Sequence, residues 1–454
     1  MLAELTEEQQ RQSIIIGLFI WVLVVSSVTC NQWNKKLPGV GLPLIYLFNL
    51  SMNHFLGGLI YAFPWYAPKS AYNLSQGASL TNTSVGFQES VYGIIGFGLG
   101  SIVFASWVLK FFKTHWRRKV PNLSQLNLHK AYIILGLSFY FVLSPINRIP
   151  SLAAVTSFGL TVFSVGLCLA CWKAWCMNDK KSFSLCLLTA CCMPVFSLLN
   201  GGFLSFGIAG FSIVLMFVLS FYRPRWKLMV IGLLTIVLGL SVFVTYFRDR
   251  DLLRAKIGSG AGIESRIEQV WKMVTTFEFF NPWEQKHLEI IEGRLNFNTT
   301  VGLGVNRISY GMADFVYGET LEQAALATVP RILWPDKPVS AGSGDLVTRF
   351  AGLKIEGTTS LGIGNIAEFY FNFGTLGVFF GLFAFGTVLR IIDIIAGQKL
   401  FSNDWVGFGN YFLPGVALIN PGNSLVESGQ NIAAAIVLVY FINKVYLPNL
   451  MQRK

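Results

Sequence analysis

Charged side chains are scarce in this chain. Asp, Glu, Lys and Arg make up 13% of its 454 residues against 53% hydrophobic ones, and the mean hydropathy is +0.55. A soluble domain carries about a quarter of its residues charged, so the composition excludes a water-soluble globular class and implies an integral membrane protein. Acids are scarcer still before the middle of the chain: between residues 13 and 247 only Glu89 and Asp179 occur, and both read as loop positions. Ion-coupled transporters work through carboxylates or His held inside the bundle, so that class lacks its main requirement here.

Other absences narrow the chemistry. The long polar stretch after residue 247 contains no cysteine, so no disulfide staples it; all seven cysteines (Cys30, Cys168, Cys171, Cys176, Cys186, Cys191 and Cys192) lie in or beside apolar runs. Cys168, Cys171 and Cys176 have a zinc-like spacing but no His beside them, and read as small packing residues. The four histidines, His54, His115, His129 and His287, are isolated, and His287 reads as a surface residue. No phosphate loop, dinucleotide fingerprint, metalloprotease helix or nucleophile elbow is present, so neither a metal nor a cofactor is expected. The first apolar run lacks a small-residue cleavage site, so no secretory leader is expected.

What the chain does have is length without charge. Apolar runs fall at 13–30, 40–62, 91–112, 131–144, 150–172, 183–199, 203–222, 228–247, 366–395, 406–420 and 430–447. Crossing a hydrocarbon core takes roughly 17 to 25 residues, which gives roughly eleven spans and an all-α integral membrane protein. Basic residues cluster between runs: Lys110, Lys113, Arg117, Arg118 and Lys119, then Lys173, Lys180 and Lys181, then Arg223, Arg225 and Lys227, and later Arg390 and Lys399. When the spans alternate these clusters share one side, which the positive-inside rule makes cytoplasmic. The net charge of +12 is therefore an orientation signal, and no nucleic acid partner is expected.

This arrangement divides the chain into a transmembrane bundle over 1–247, a large exterior loop over 248–365 and further transmembrane helices over 366–454. A polar loop of that length between two membrane helices is uncommon unless it has a function. Ile263, Ile267, Val270, Trp271, Val274 and Phe277 recur at helical spacing, predicting an amphipathic helix at the membrane surface, and a second helix is expected over 308–327. Pro330, Pro335 and Pro338 and the glycines from Gly342 to Gly364 keep the remainder irregular. The loop is expected to fold back over the bundle and roof a cavity, since irregular backbone at membrane depth survives only inside protein or beside water.

Arginines dominate the candidates. Arg248, Arg250 and Arg254 read as headgroup contacts at a helix exit, while Arg294, Arg307, Arg331 and Arg349 stand in the exterior loop, where the positive-inside rule gives no reason to collect cations. Guanidinium groups hold phosphate oxygens bidentately and stay charged. Glu368 falls where an apolar span has just begun, and a carboxylate at that depth is a candidate base or an anchor for the loop. Asn365 is expected beside it. Trp334, Asp336 and Lys337 form turn chemistry, with Trp334 a surface for stacking a sugar.

Two stretches carry a resemblance: Pro330-Arg-Ile-Leu-Trp-Pro-Asp-Lys-Pro338 and Gly364-Asn-Ile-Ala-Glu-Phe-Tyr-Phe-Asn-Phe-Gly374. Over the loop and the helix that follows it, the chain resembles the Wzy-type polymerases of oligosaccharide repeat units that build bacterial O-antigen and exopolysaccharide. The resemblance implies a GT-C-like helical architecture in the bacterial inner membrane with the large loop periplasmic. It implies undecaprenyl-diphosphate-linked oligosaccharides as substrates, and a chain-length regulator and a flippase as partners alongside membrane lipid. The implied reaction passes a growing glycan from its lipid diphosphate to an incoming lipid-linked unit. In that scheme Glu368, Arg331 and Arg349 are the catalytic candidates, and Arg294, Arg307, Trp334, Asp336, Lys337 and Asn365 bind substrate. The alternatives are ligation of glycan onto lipid A core and flipping of a lipid-linked oligosaccharide.

Overall fold

The computed structural model describes residues 5–33, 37–111, 127–142, 158–222, 226–329, 334, 336–337, 342–353 and 362–448. All regular structure among them is helical. Among the described residues, seven helices are long and apolar enough to cross a membrane: Glu7–Gln32, Leu80–Lys110, Gly159–Cys176, Lys180–Gly201, Leu204–Phe221, Asn365–Phe401 and Leu425–Tyr446. Two other apolar runs differ in kind. The run over 40–62 is α2 (Leu42–Leu50) and α3 (Leu56–Ala62) joined by a π turn at Ser51–Phe55, and the run over 406–420 is a helix of 12 residues that unwinds.

In chain order, α1 covers Glu7–Gln32, α4 Ala71–Ser75, α5 Leu80–Leu99, α6 Ala105–Phe111, α7 Leu128–Leu137, α8 Gly159–Cys176, α9 Lys180–Gly201 and α10 Leu204–Phe221. Thr6 caps α1, its hydroxyl accepting from the Gln9 N–H while the Gln9 side chain returns the bond. One face of α1 (Ile14, Leu18, Trp21, Val28) packs inward while Ile15, Ile16, Phe19 and Leu23 stay exposed, the pattern of a helix apolar all round whose outer side meets lipid. Arg11 donates to the carbonyls of Tyr61 (2.7 Å) and Phe63 (2.6 Å), joining the start of α1 to the negative end of α3.

Next, α11 spans Trp226–Gly258, so it continues past residue 247 and carries Arg248, Arg250 and Arg254 on helix. The polar insert then folds as α12 (Ile263–Thr275), α13 (Gln285–Leu295), α14 (Phe297–Ser309), α15 (Glu319–Ala327) and α16 (Ser343–Ala351). The helix expected over 308–327 is divided, because Gly311 and Gly318 adopt φ of 68° and 98° and turn the chain between α14 and α15. The amphipathic α12 forms as expected: Gln269 and Met273 are buried, and Ile263, Ile267, Trp271 and Val274 line an exposed stripe.

Three irregular stretches are folded into the bundle on the insert side. The α13–α14 hairpin enters between α3 and α5, and its tip reaches about two turns below the end of α3, where Asn298 Nδ2 donates to the His54 carbonyl (2.8 Å) and Ser90 Oγ donates to Asn298 Oδ1 (2.9 Å). Close backbone contact permits this entry, since a Cβ on Gly86 would collide with the Asn298 carbonyl and one on Gly302 with the Asn82 carbonyl. Residues 362–364 reach the same depth and start α17 (Asn365–Phe401), where the Asn365 N–H donates to the Pro421 carbonyl (2.8 Å) and its Nδ2 to the Tyr46 hydroxyl (3.2 Å). α17 reverses at Phe373 and Gly374, the latter at φ 65°, so that Phe369 packs back on Gly381. Lastly, α18 (Trp405–Val416) unwinds through 417–424 into α19 (Leu425–Phe441), with the Ile419 carbonyl accepting from Asn49 Nδ2 at 3.0 Å. Phe297 sits where the three meet, against Gly362, Gly364 and Gly422. Each shields the polar backbone of the others, the condition under which non-helical chain persists at that depth.

Two charged residues depart from the sequence reading. Glu89 is inside α5, buried, and accepts from the Thr375 hydroxyl at 2.8 Å next to the α17 reversal, so it is not a loop residue. Arg390 is a buried residue of α17 and not a loop marker. It bonds Asp393 (2.6 Å) and Gln32 (2.6 Å), while Asp393 accepts from the N–H groups of Val40 and Leu42, which fixes the α1–α2 connection to the end of the bundle away from the insert. Removing one partner of such a pair costs about 3–5 kcal/mol, because the other stays buried and charged.

Candidate functional site: a cleft over the hairpin

The α13–α14 hairpin carries a polar sequence, Glu292-Gly-Arg-Leu-Asn-Phe-Asn-Thr-Thr300, into a place where water is largely excluded, so its side chains must satisfy one another. Asn296 Nδ2 donates to Glu292 Oε2 (2.7 Å) and to Thr83 Oγ1 (3.0 Å), and Thr299 Oγ1 donates to Glu292 Oε1 (3.1 Å). Burial pushes the Glu292 carboxyl up to about 7, against the two donors, which favour its charged form. A carboxyl poised near neutrality can take up and release a proton, the requirement for general acid–base work.

Above this network lies a cleft of about 190 Å³ lined by Tyr72, Asn73, Gln76, Glu292, Arg294 and Thr300, with Phe297 at its floor. A second cleft of about 240 Å³ adjoins it, lined by Phe247, Arg250, Asp251, Lys286, Glu289 and the same Arg294, Tyr72 and Asn73. Arg294 is therefore the partition between the two. Its guanidinium stands 5.3 Å from the Phe247 ring and 5.9 Å from the Tyr72 ring and makes no ion pair among the described residues. Burial and the like charge of Arg250 lower its pKa, with Arg254 adding to the repulsion. Gly293 lets Asn73 close the wall, since a Cβ there would sit 2.6 Å from Asn73 Oδ1.

Of the residues singled out from sequence, Arg294 enters both clefts and Arg250, read as a headgroup contact, lines the outer one; the others are spread over the insert and the start of α17. Arg331 lies outside the described residues. Arg349 is exposed and pairs with Glu319 at 3.1 Å. Arg307 lies against Gly352, its Nε buried without a partner. Trp334 and Asp336 are exposed, and Lys337 donates to the carbonyls of Ala327 and Val329 at the end of α15. Glu368 is buried in the bundle, where Oε2 accepts the N–H of Leu425 (2.7 Å) at the first turn of α19, and Asn372 Nδ2 donates to the Thr320 hydroxyl at 2.7 Å. Asn365 lies beneath them at Tyr46. His287 is buried and not a surface residue. Its Nδ1 accepts from the Asn281 N–H (3.1 Å) and its Nε2 faces Glu278 and Glu284, so it organises the turn before α13.

A family model described as a domain of unknown function, DUF8712, matches residues 97–447. The chain belongs to this family. The DUF8712 stretch takes in the whole insert and the cleft residues from Phe247 to Gly362, and leaves out Tyr72, Asn73 and Gln76 on the opposing wall. No curated protein and no solved structure matches the chain.

Sequence reasoning missed Glu292, Lys286 and the Tyr72 to Gln76 wall, and read Arg250 only as a headgroup contact. One signal was available: Glu292, Asn296 and Thr299 recur at i, i+4 and i+7, spacings that share a helix face, and a stripe of polar side chains and a carboxylate is not what a solvated surface selects. The α4 wall gave none, since Tyr72, Asn73 and Gln76 belong to a short connection whose partner is more than 200 residues away.

Proposed function

We propose that this protein is a glycosyltransferase that passes a growing glycan from undecaprenyl diphosphate onto an incoming lipid-linked oligosaccharide, as the resemblance to Wzy-type polymerases implies. The observation that carries this reading is the pairing in one cleft of a half-buried Arg294, which makes no ion pair among the described residues, with the near-neutral Glu292. The reading includes a GT-C-like bundle of about eleven spans, an inner-membrane location and a periplasmic insert.

In this scheme the acceptor hydroxyl attacks the anomeric carbon of the donor sugar. Its proton passes to Glu292, and the bond from the anomeric carbon to the diphosphate oxygen breaks with its electron pair leaving on the diphosphate. Arg294 meets the negative charge that develops there, which is the larger part of the task because the leaving group is already good. The cleft walls hold the two reactants in one orientation. The bond broken supplies the driving force, so the scheme needs no nucleotide.

Purified protein in lipid nanodiscs, supplied only with lipid-linked repeat units, tests the reading. A ladder of lengthening products is expected, and Arg294→Ala should abolish it. Product formed only after lipid A core is added would mean ligation, and unreacted substrate moved across a vesicle membrane would mean flipping; either overturns the proposal.

A further inference from the structure

The outer of the two clefts contains more positive charge than its own acids use. Arg250 engages Asp251 through Nε alone (3.1 Å) and stands 5.1 Å over the Phe247 ring, while the Asp251 side chain is 87% exposed. Lys286 makes no ion pair among the described residues. Glu289, the other acid in the lining, is committed elsewhere: Oε1 accepts the N–H groups of Lys69 (3.0 Å) and Ser70 (2.9 Å) at the start of α4. Arg254, one turn beyond Arg250 on α11, stacks at 4.4 Å over Phe203 and leaves a buried Nε without a partner. Arg250 and Arg254 thus face Arg294, three like charges offset among these groups by the largely exposed Asp251.

We infer that the outer cleft binds a diphosphate between Arg250, Lys286 and Arg294, and that the inner cleft beside it holds the sugar attached to that diphosphate. Two phosphate groups would supply the missing counter-charge, with terminal guanidinium nitrogens as donors. Position favours a lipid-borne diphosphate, because Arg250 lies one turn past Phe247, where the apolar run of α11 ends and headgroups begin. The inner lining is of a different kind. Asn73, Gln76, Asn296 and Thr300 offer uncharged donors and acceptors between the aromatic rings of Tyr72 and Phe297, which suits hydroxyl groups and the apolar face of a pyranose. The inference rests on the transferase reading only for the identity of the carrier.

Binding measurements on the full-length protein separate the two clefts without any turnover. Native mass spectrometry from phosphatidylcholine nanodiscs would follow undecaprenyl diphosphate, its sugar-bearing form, soluble inorganic pyrophosphate and phosphatidylglycerol. Arg250→Gln combined with Lys286→Gln should weaken both lipid diphosphates by about tenfold or more. Gln76→Ala combined with Thr300→Ala should remove only the gain that the sugar confers. Lys272→Gln, exposed on α12 and outside the clefts, should change neither. Competition by pyrophosphate identifies the diphosphate itself as the ligand, and its failure to compete marks the lipid tail as part of recognition; both agree with the inference. Unchanged affinity in the Arg250 and Lys286 variant, with its size-exclusion profile intact, overturns it. So does equal binding of phosphatidylglycerol, which would make the cleft a general site for anionic headgroups. A diphosphate bound as described by a protein that makes no polymer would refute the polymerase reading and leave this inference standing.

Discussion

Two glutamates, Glu292 and Glu368, are both buried, both in contact with the insert, and held by different kinds of partner. Glu368 is buried and its Oε2 accepts a backbone N–H, that of Leu425, at the positive end of α19, with the Thr320 hydroxyl beside it. Glu292 accepts only side-chain donors, Asn296 and Thr299, and opens onto a cleft shared with a cation. A carboxylate fixed by a helix terminus is an element of architecture, because releasing it exposes a buried N–H and the helix charge together. One fixed by amides and hydroxyls can change protonation while its partners adjust. Burial alone does not separate structural from chemical acids; the nature of the donors and an open side do.

The largest expected effect is on the open member of the pair. Glu292→Gln keeps a hydrogen-bonding group of the same shape, so it should cost about 10²- to 10⁴-fold in transfer rate with little change in thermal unfolding in detergent. A rate near wild type would remove Glu292 from the chemistry. Glu368→Ala should act the other way round. Loss of the acceptor for the Leu425 N–H should cost about 2–3 kcal/mol of stability, read as a lowered Tm, with Glu368→Gln recovering part of it. An unchanged Tm in the alanine variant would show that the insert is not anchored there.

Titration sharpens the contrast. The Glu292 carboxyl stands near 7 in the folded protein, above its ordinary value of 4.5. As the base it must be ionised, so the transfer rate should fall as pH drops below about 7. The folded state binds the Glu292 proton more tightly than the unfolded chain, so this group's contribution to stability is full below about 4.5 and is lost as pH rises toward about 7. Glu292→Gln should remove this group's share of the stability trend over that window, as seen by denaturation at a series of pH values. The smallest effect belongs to Arg349→Ala, which breaks only the exposed pair with Glu319 and should cost less than about 1 kcal/mol. A large loss of transfer in that variant would move the site from the hairpin cleft to α16.

The membrane class, the polar insert and the amphipathic α12 were legible in the sequence because each depends on local composition or on a single period. Ile263, Ile267, Trp271 and Val274 needed no distant partner to be read. The depth of Glu89 and Arg390 was not legible, since their burial depends on Thr375 and on Gln32, far off in sequence. Glu368 was recognisable as a buried acid from its apolar neighbours, but its partner, the Leu425 N–H, belongs to a helix 57 residues on. The cleft was hidden for the same reason. Arg294 stood out as a cation in the exterior loop, and the groups that make it a wall, Tyr72 and Phe247, come from two other segments.

The rate of glycan transfer followed across pH 5.5 to 8.5 in wild type, Glu292→Gln and Glu368→Gln bears most directly on the division of labour between the two acids. An ionisation near 7 should govern wild type and Glu368→Gln and be absent from the residual rate of Glu292→Gln. An ionisation that persists in Glu292→Gln and disappears in Glu368→Gln would contradict the account.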